Sequence, residues 1–445
     1  MIKMKEIKVI ILSCIGGSLE FFDFTIYALF APYIRQVFFP TQSAFAGLLS
    51  TFGVFALGYL VRPIGGIIFG ALGDILGRRI AFSSCVFFMG LSTLGIGLMP
   101  GVVSIGMAAP LLLTAMRILQ GLSMGGEIPC STVFAAEHLF SRYRGLAIGI
   151  VFMFITLGNV SGSLLGFSLE NHLSPAQMLS WGWRIPFIIG SAVSILSFFL
   201  RKKSYETSTY REMKQANKIE KHPLLTIIRE KPAHLAIGFG LTMLSGATIS
   251  LFLYLPSFLH AILGYKPQNS FLAATVSFLV LAVCSVIFSY VSDKIGRKVV
   301  LITGCVLSAI SGYALFYMLA HNGYSSVPLF CTAIAASVGM VYGVFGVSII
   351  ELFPANVRST GMGVSYNLGL AIIGGLTPFL FTYFIKASGN TMAPYYVFLA
   401  CAAITAISGL CWKSRFSTVD YKKTQPETPA EILHGDTAAK AYNKL

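Results

Sequence analysis

Gly70-Ala71-Leu72-Gly73-Asp74-Ile75-Leu76-Gly77-Arg78-Arg79 and Ser289-Tyr290-Val291-Ser292-Asp293-Lys294-Ile295-Gly296-Arg297-Lys298 are two copies of one charged cluster, set 219 residues apart in an otherwise apolar chain. Each copy lies between long apolar segments. Each is followed by a second matched element: Glu137 stands seven residues before Arg144, and Glu351 seven before Arg358. Repetition at that period divides the chain into two related halves, the organisation expected of a transporter built from a duplicated unit.

Composition sets the solvent. Of the 445 residues 55% are hydrophobic and 11% charged, with a mean hydropathy of +0.76, whereas a soluble domain carries roughly 25% charged residues. The chain therefore reads as a multi-pass membrane protein. Segments of the roughly 20 residues needed to cross a bilayer fall near 8–34, 44–70, 80–99, 104–131, 143–168 and 183–201, then near 232–262, 270–292, 298–320, 325–352, 358–386 and 391–413. The expected fold class is all-α, twelve transmembrane helices in two six-helix bundles. The expected domains are an N-terminal bundle over 1–201, a cytoplasmic linker over 202–231, a C-terminal bundle over 232–413 and a disordered cytoplasmic tail over 414–445.

Lys and Arg orient this arrangement. With both termini inside, 26 of the 32 fall on inner segments and three, Arg35, Lys266 and Lys386, on outer ones, as the positive-inside rule requires. The net charge of +15 follows from that bias and favours anionic inner-leaflet lipid, so no nucleic-acid partner is expected. The N-terminal apolar stretch is too long for a signal peptide and carries two acids, which makes it an uncleaved first helix. The eight cysteines and seven histidines show no metal or redox spacing, so neither a metal nor another cofactor is expected. Nine Lys and Arg residues fall in the connection Arg201 to Pro232, whose alternating charge suggests short surface helices. Glycines recur at helical spacing: Gly58, Gly66 and Gly70, then Gly121 and Gly125, then Gly145 and Gly149, permitting close helix approach in lipid.

Ionisable residues inside apolar segments need a reason, since each acid near mid-bilayer costs roughly 2.5 to 3.5 kcal/mol on insertion scales. The first segment has two, Glu20 and Asp23, which at i, i+3 share a face and raise each other's proton affinity by repulsion. They are the candidate proton-coupling pair; a structural anchor for a helix-four cation is the alternative. Arg117 is the candidate anion-binding residue, its planar fork suited to a carboxylate of the substrate or of Glu20 or Asp23. Gln120, Tyr27 and Tyr366 complete the candidate substrate site. Glu127, about 15 Å further along the same helix, reads as a gate or relay group, and Arg62 as snorkelling to headgroups or facing the cavity. Asp74 and Asp293 sit at helix ends, where they can pair with Arg144 or Arg358 or meet a helix N-terminus. With Arg78, Arg79, Glu137, Arg297, Lys298 and Glu351 they form the candidate gate at the inner mouth.

The cluster at Asp74 to Arg79 and its second copy resemble the loop signature of the major facilitator superfamily, with Ile75 where a cation commonly follows the aspartate. Within it the chain resembles the metabolite:proton symporters, a group with proline/betaine, citrate and 2-oxoglutarate carriers. The resemblance rests on Leu19-Glu20-Phe21-Phe22-Asp23-Phe24, Arg62-Pro63-Ile64-Gly65-Gly66, Gln120 to Glu127, Trp181-Gly182-Trp183-Arg184-Ile185-Pro186-Phe187, and Glu351-Leu352-Phe353-Pro354 with Arg358, and covers residues 8 to 413. It implies two six-helix bundles around a central site, proton-driven uptake of a small carboxylate-bearing solute by alternating access, no enzymatic activity and no cofactor beyond the proton gradient. It places Glu20 and Asp23 on the family's helix-one acidic motif and Arg117 on a basic position of helix four. A monomer in a bacterial cytoplasmic membrane is expected. A uniporter or a proton antiporter of the same fold is the alternative, although the Pro-plus-double-Gly signature of drug antiporters is missing after Gly158.

Overall fold

The computed structural model describes residues 14–412 apart from 15–16, 19–20, 24, 29, 41–43, 139–143, 203–205, 218, 260–262, 264–266 and 322. Among the described residues every regular element is helical. After a short helix Ala31–Phe38, the N-terminal half contains α1 (Ala44–Leu60), α2 (Arg62–Ile75), α3 (Arg78–Leu98), α4 (Ala108–His138), α5 (Arg144–His172) and α6 (Ile185–Lys202). A linker helix α7 (Ser208–Gln215) follows, then Pro223–Glu230. The C-terminal half contains α8 (Pro232–Ser257), α9 (Pro267–Ile295), α10 (Arg297–His321), α11 (Val327–Leu352), α12 (Arg358–Gly369), α13 (Gly375–Ser388) and α14 (Ala393–Cys411). Nine spans among the described residues are long and apolar enough to cross a bilayer.

Two of the expected apolar segments are interrupted, each for a local reason. Proline 63, at the second position of α2, withholds an N–H from the helical ladder, so α1 and α2 part at Val61 within one span, Gly53–Ile75. The segment expected over 358–386 is broken by a π-turn at Leu370–Gly374 between α12 and α13. The charged clusters themselves sit at helix breaks. Gly77 ahead of α3 and Gly296 ahead of α10 have φ of +117° and +100°, a region that only glycine enters at little cost. The same glycine recurs in both copies because both chain reversals need it.

Close backbone contact organises the packing. A Cβ on Gly121 or Gly125 would strike the carbonyl oxygen of Gly58 or Arg62, so α4 lies directly on α1 and α2. Between halves, Gly66 meets Gly363, and Gly145 and Gly149 of α5 meet Asp293 and Ser289 of α9. The buried core runs through this junction, where Phe152 of α5 packs on Tyr342 and Phe345 of α11 at 5.3 and 4.8 Å. The linker forms two short helices, as its charge pattern suggests, but α7 is docked rather than free: Thr207 and Tyr210 are buried.

Candidate functional site

Arg117 and Gln120, three residues apart on α4, share a face and are 2% and 0% exposed. Arg117 Nη1 donates to Gln120 Oε1 at 2.5 Å, Gln120 Nε2 donates to Thr93 Oγ1 of α3 at 2.9 Å, and the Thr93 hydroxyl donates to Asp23 Oδ2 at 2.6 Å. Arginine has no acceptor, so its contact fixes which end of the Gln120 amide is oxygen. Every donor then points from guanidinium to carboxylate. The result is a polarised chain, positive at Arg117 and negative at Asp23, held out of water where such chains are strongest. The guanidinium lies 4.0 Å from the centroid of the Tyr27 ring and 5.5 Å from that of Phe55. Tyr27 is itself steadied by its hydroxyl donating to the Thr51 carbonyl at 3.3 Å.

This geometry differs from a direct Arg117 to Asp23 pair, since two neutral side chains stand between the charges. Asp23 Oδ1 has no hydrogen-bond partner among the described residues. Glu20 lies outside the described residues. Tyr366 is buried, stacked on Phe345 at 6.2 Å in the aromatic cluster that joins the halves, so it is placed at the junction and not on the Tyr27 ring.

At the charged end of the bundle each half supplies an aspartate to a helix start of the other. Asp74 Oδ1 accepts from Arg78 Nη1 at 2.7 Å and from the Ser359 N–H at 3.3 Å, and Oδ2 accepts from the Thr360 N–H at 2.9 Å and its hydroxyl at 2.7 Å. Asp293 accepts from the Gly145 and Leu146 N–H groups at 3.1 and 2.8 Å and pairs with Arg297 at 3.1 Å. Both carboxylates thus satisfy the orphan N–H groups of a first helical turn and meet its positive dipole end. Glu137 pairs with Arg78 at 3.5 Å and across the halves with Arg358 at 3.2 Å; Glu351 pairs with Arg297 at 2.9 Å.

Several expected contacts are corrected. Of the partners expected for Asp74, the helix N-terminus is the one found, at the start of α12, and Arg358 is held by Glu137 instead. Arg144 donates from Nε to the Ala136 carbonyl at 3.3 Å. Lys298 donates to the Leu410 carbonyl at the end of α14, a contact within its own half and no part of a junction between halves. Arg79 gives its backbone N–H to Glu206 at 3.1 Å. Glu127 binds Arg201 through both oxygens, at 2.9 and 3.0 Å, and both belong to the N-terminal half; Arg201, expected to open the linker, is fully buried in the last turn of α6 with its guanidinium 3.7 Å over the Phe82 ring. Arg62 does not reach headgroups: it is 1% exposed and donates to Asn367 Oδ1 at 3.4 Å, while Asn367 Nδ2 donates to the Gly125 and Gly363 carbonyls.

Sequence reading missed Thr93, Asn367, Arg201, Glu206 and Thr207. A lone Thr or Asn in an apolar helix carries no spacing signal, and Arg201 is disguised by its basic neighbours. The linker contributes directly to the charged end: Glu206 accepts from the Arg78 and Arg79 N–H groups at the start of α3, Thr207 donates to Glu137 at 3.0 Å, and Tyr210 donates to the Ile75 carbonyl at 2.8 Å.

Residues 13–277 match the model of the major facilitator superfamily, and residues 201–414 match that of sugar and other transporters. A citrate-proton symporter of Salmonella typhi is 31% identical over 88% of this chain and 90% of its own length. The glycine betaine/proline/ectoine/pipecolic acid transporter OusA of Dickeya dadantii is 28% identical over 91% of this chain and 83% of its own. Among solved structures, the proton:xylose symporter XylE superposes with a TM-score of 0.75 over 91% of this chain and 94% of its own, at 16% identity, a likeness of fold.

Proposed function

The chain belongs to the major facilitator superfamily and is a multi-pass membrane transporter rather than an enzyme, and we propose that it takes up a small carboxylate-bearing organic solute together with a proton. The observation that carries this reading is the polarised chain from Arg117 to Asp23. A proton on Asp23 removes the negative end of that chain and makes the carboxyl a donor towards Thr93, so the hydroxyl and the amide behind it lose their preferred direction. The Arg117 guanidinium is then less committed to its own chain and better able to bind an incoming carboxylate. Proton and solute thus favour each other's binding, the coupling a symporter requires.

The fuller architecture supports the same reading. The apolar segments and the Lys and Arg bias support twelve membrane helices with both termini in the cytoplasm, an arrangement in which the charged end is the inner mouth; the proposed form is a monomer in a bacterial cytoplasmic membrane. Closure of that end by Asp74, Asp293, Glu137 and Glu351 belongs to a state accessible from the other side, and loading shifts the population towards inward opening. Tyr27 and Phe55 beside Arg117 also suit a quaternary ammonium group carried on the same solute. The cycle uses no cofactor other than the proton gradient.

The test is uptake of radiolabelled citrate, proline and glycine betaine into proteoliposomes with and without an inside-alkaline gradient. Accumulation of one solute that collapses with the gradient is expected. Gradient-independent equilibration would make the protein a uniporter, and gradient-driven expulsion an antiporter.

A further inference from the structure

Inside the N-terminal half, away from the junction between halves, lies a second line of buried polar groups that the solute site does not use. Asp23 Oδ1, the oxygen left over by the Arg117 chain, is aimed at α6: a Cβ on Gly190 would collide with it. Ser194 and Ser197 follow on the same face of α6, are 0% and 1% exposed, and have hydroxyls without a hydrogen-bond partner among the described residues. Serines in helices commonly bond back to the preceding turn, as Ser92, Ser123, Ser131 and Ser191 do here. These two do not. Among the described residues the other buried serines left without a partner, Ser245, Ser308 and Ser365, are scattered over α8, α10 and α12. Arg201, four residues beyond Ser197, ends the line in its two-oxygen pair with Glu127.

The line follows the seam between α3 and α6. Gly97 faces Phe187, Gly90 faces Ser194, and the Phe82 carbonyl accepts from Arg201 at 3.1 Å. Steps of four, three and four residues from Gly190 rise about 6, 4.5 and 6 Å. Two hydrogen bonds of about 2.8 Å through one water span at most about 5.6 Å, so the middle step is within reach of one water and the outer two are bridged where the side chains lean towards each other; a buried hydroxyl without a protein partner is a group that such water satisfies. Among the described residues the titratable and charged groups along the path are Asp23 at one end, backed by Thr93 and Arg117, and Glu127 at the other, backed by Arg201, with the Cys85 thiol against the neighbouring Gly126.

We infer that this file of Asp23, Ser194, Ser197 and Glu127 is the route by which the symported proton leaves the solute site for the charged end, without crossing the solute cavity. The inference rests on the symport reading above. In transit the Asp23 carboxyl gives up its proton and becomes a carboxylate. Each hydroxyl and water oxygen accepts one proton as it releases its own, and the Glu127 carboxylate takes the last, weakening its pair with Arg201. Charge and protons balance at every step.

The test compares two modes of transport of radiolabelled citrate, proline and glycine betaine in proteoliposomes. Exchange cycles the loaded carrier and needs no proton release, whereas gradient-driven uptake does. The Ser194→Ala/Ser197→Ala double variant is expected to keep exchange at the wild-type rate and to lose about tenfold or more in gradient-driven rate, with an unchanged half-saturation concentration. Ser197→Thr, which keeps the hydroxyl, should retain uptake. Unchanged uptake in the double variant overturns the route, as does loss of exchange in step with uptake, which would mark the serines as packing. Wild-type uptake indifferent to the gradient would instead defeat the symport reading itself.

Discussion

The two copies of the charged cluster perform the same act with unequal support. Asp74 and Asp293 each receive two backbone N–H groups from a helix start in the opposite half and one guanidinium four residues on. Around Asp74 the structure adds the Thr360 hydroxyl, an Arg78 bond to the Ala355 carbonyl at 2.7 Å and the linker contacts of Glu206 and Thr207. The side chains of Asp74 and Arg78 are 0% and 1% exposed, whereas Arg297 is 15% exposed. Duplication preserved the capping geometry, and the single linker could lean on only one copy. The first copy is therefore expected to hold the charged end closed more firmly than the second.

The sharpest way to break this comparison is Asp74→Asn, which keeps the shape and leaves buried Arg78 to share the Glu137 carboxylate with Arg358. Removing one partner of a buried pair costs about 3 to 5 kcal/mol, so the initial uptake rate and the melting temperature in detergent should both fall steeply. Asp293→Asn, with its partner nearer solvent, should cost about 1 to 2 kcal/mol by loss of a charged hydrogen-bond acceptor. Equal losses in the two variants would erase the asymmetry.

Glu127→Gln separates stability from gating. It strands Arg201 and should lower the melting temperature as Asp74→Asn does; because the pair lies within one half, cross-linking between cysteines placed at the two charged clusters should be unaltered. A changed cross-linking yield would return Glu127 to the gate. Thr207→Ala removes one linker hydrogen bond, about 1 kcal/mol, and should raise accessibility of the charged end a few-fold, measured by the same cross-link. Lys298→Ala should change uptake and melting least, within about 0.5 kcal/mol, since its contact stays inside the C-terminal half.

Much of this was legible in the sequence, and the boundary is a physical one. The two charged clusters are local patterns that locate helix ends, and their recurrence after 219 residues marks the two halves. Arg201 was misplaced, and Arg62 was left between headgroups and cavity, because depth in a membrane segment does not reveal a partner: Asn367 lies 305 residues from Arg62 and Glu127 74 residues from Arg201. Arg117 and Asp23 announced themselves as charges in apolar helices, yet the groups between them did not. Thr93 is one more small residue in α3, and only the packed structure shows that it holds Asp23.

The most direct test of the account is to count protons while solute moves. Wild-type and Asp23→Asn proteoliposomes in weakly buffered medium are given the transported solute, and external pH is recorded. Alkalinisation that accompanies uptake by the wild type and disappears in the variant is the predicted result; uptake by the wild type with no change in external pH would contradict proton coupling.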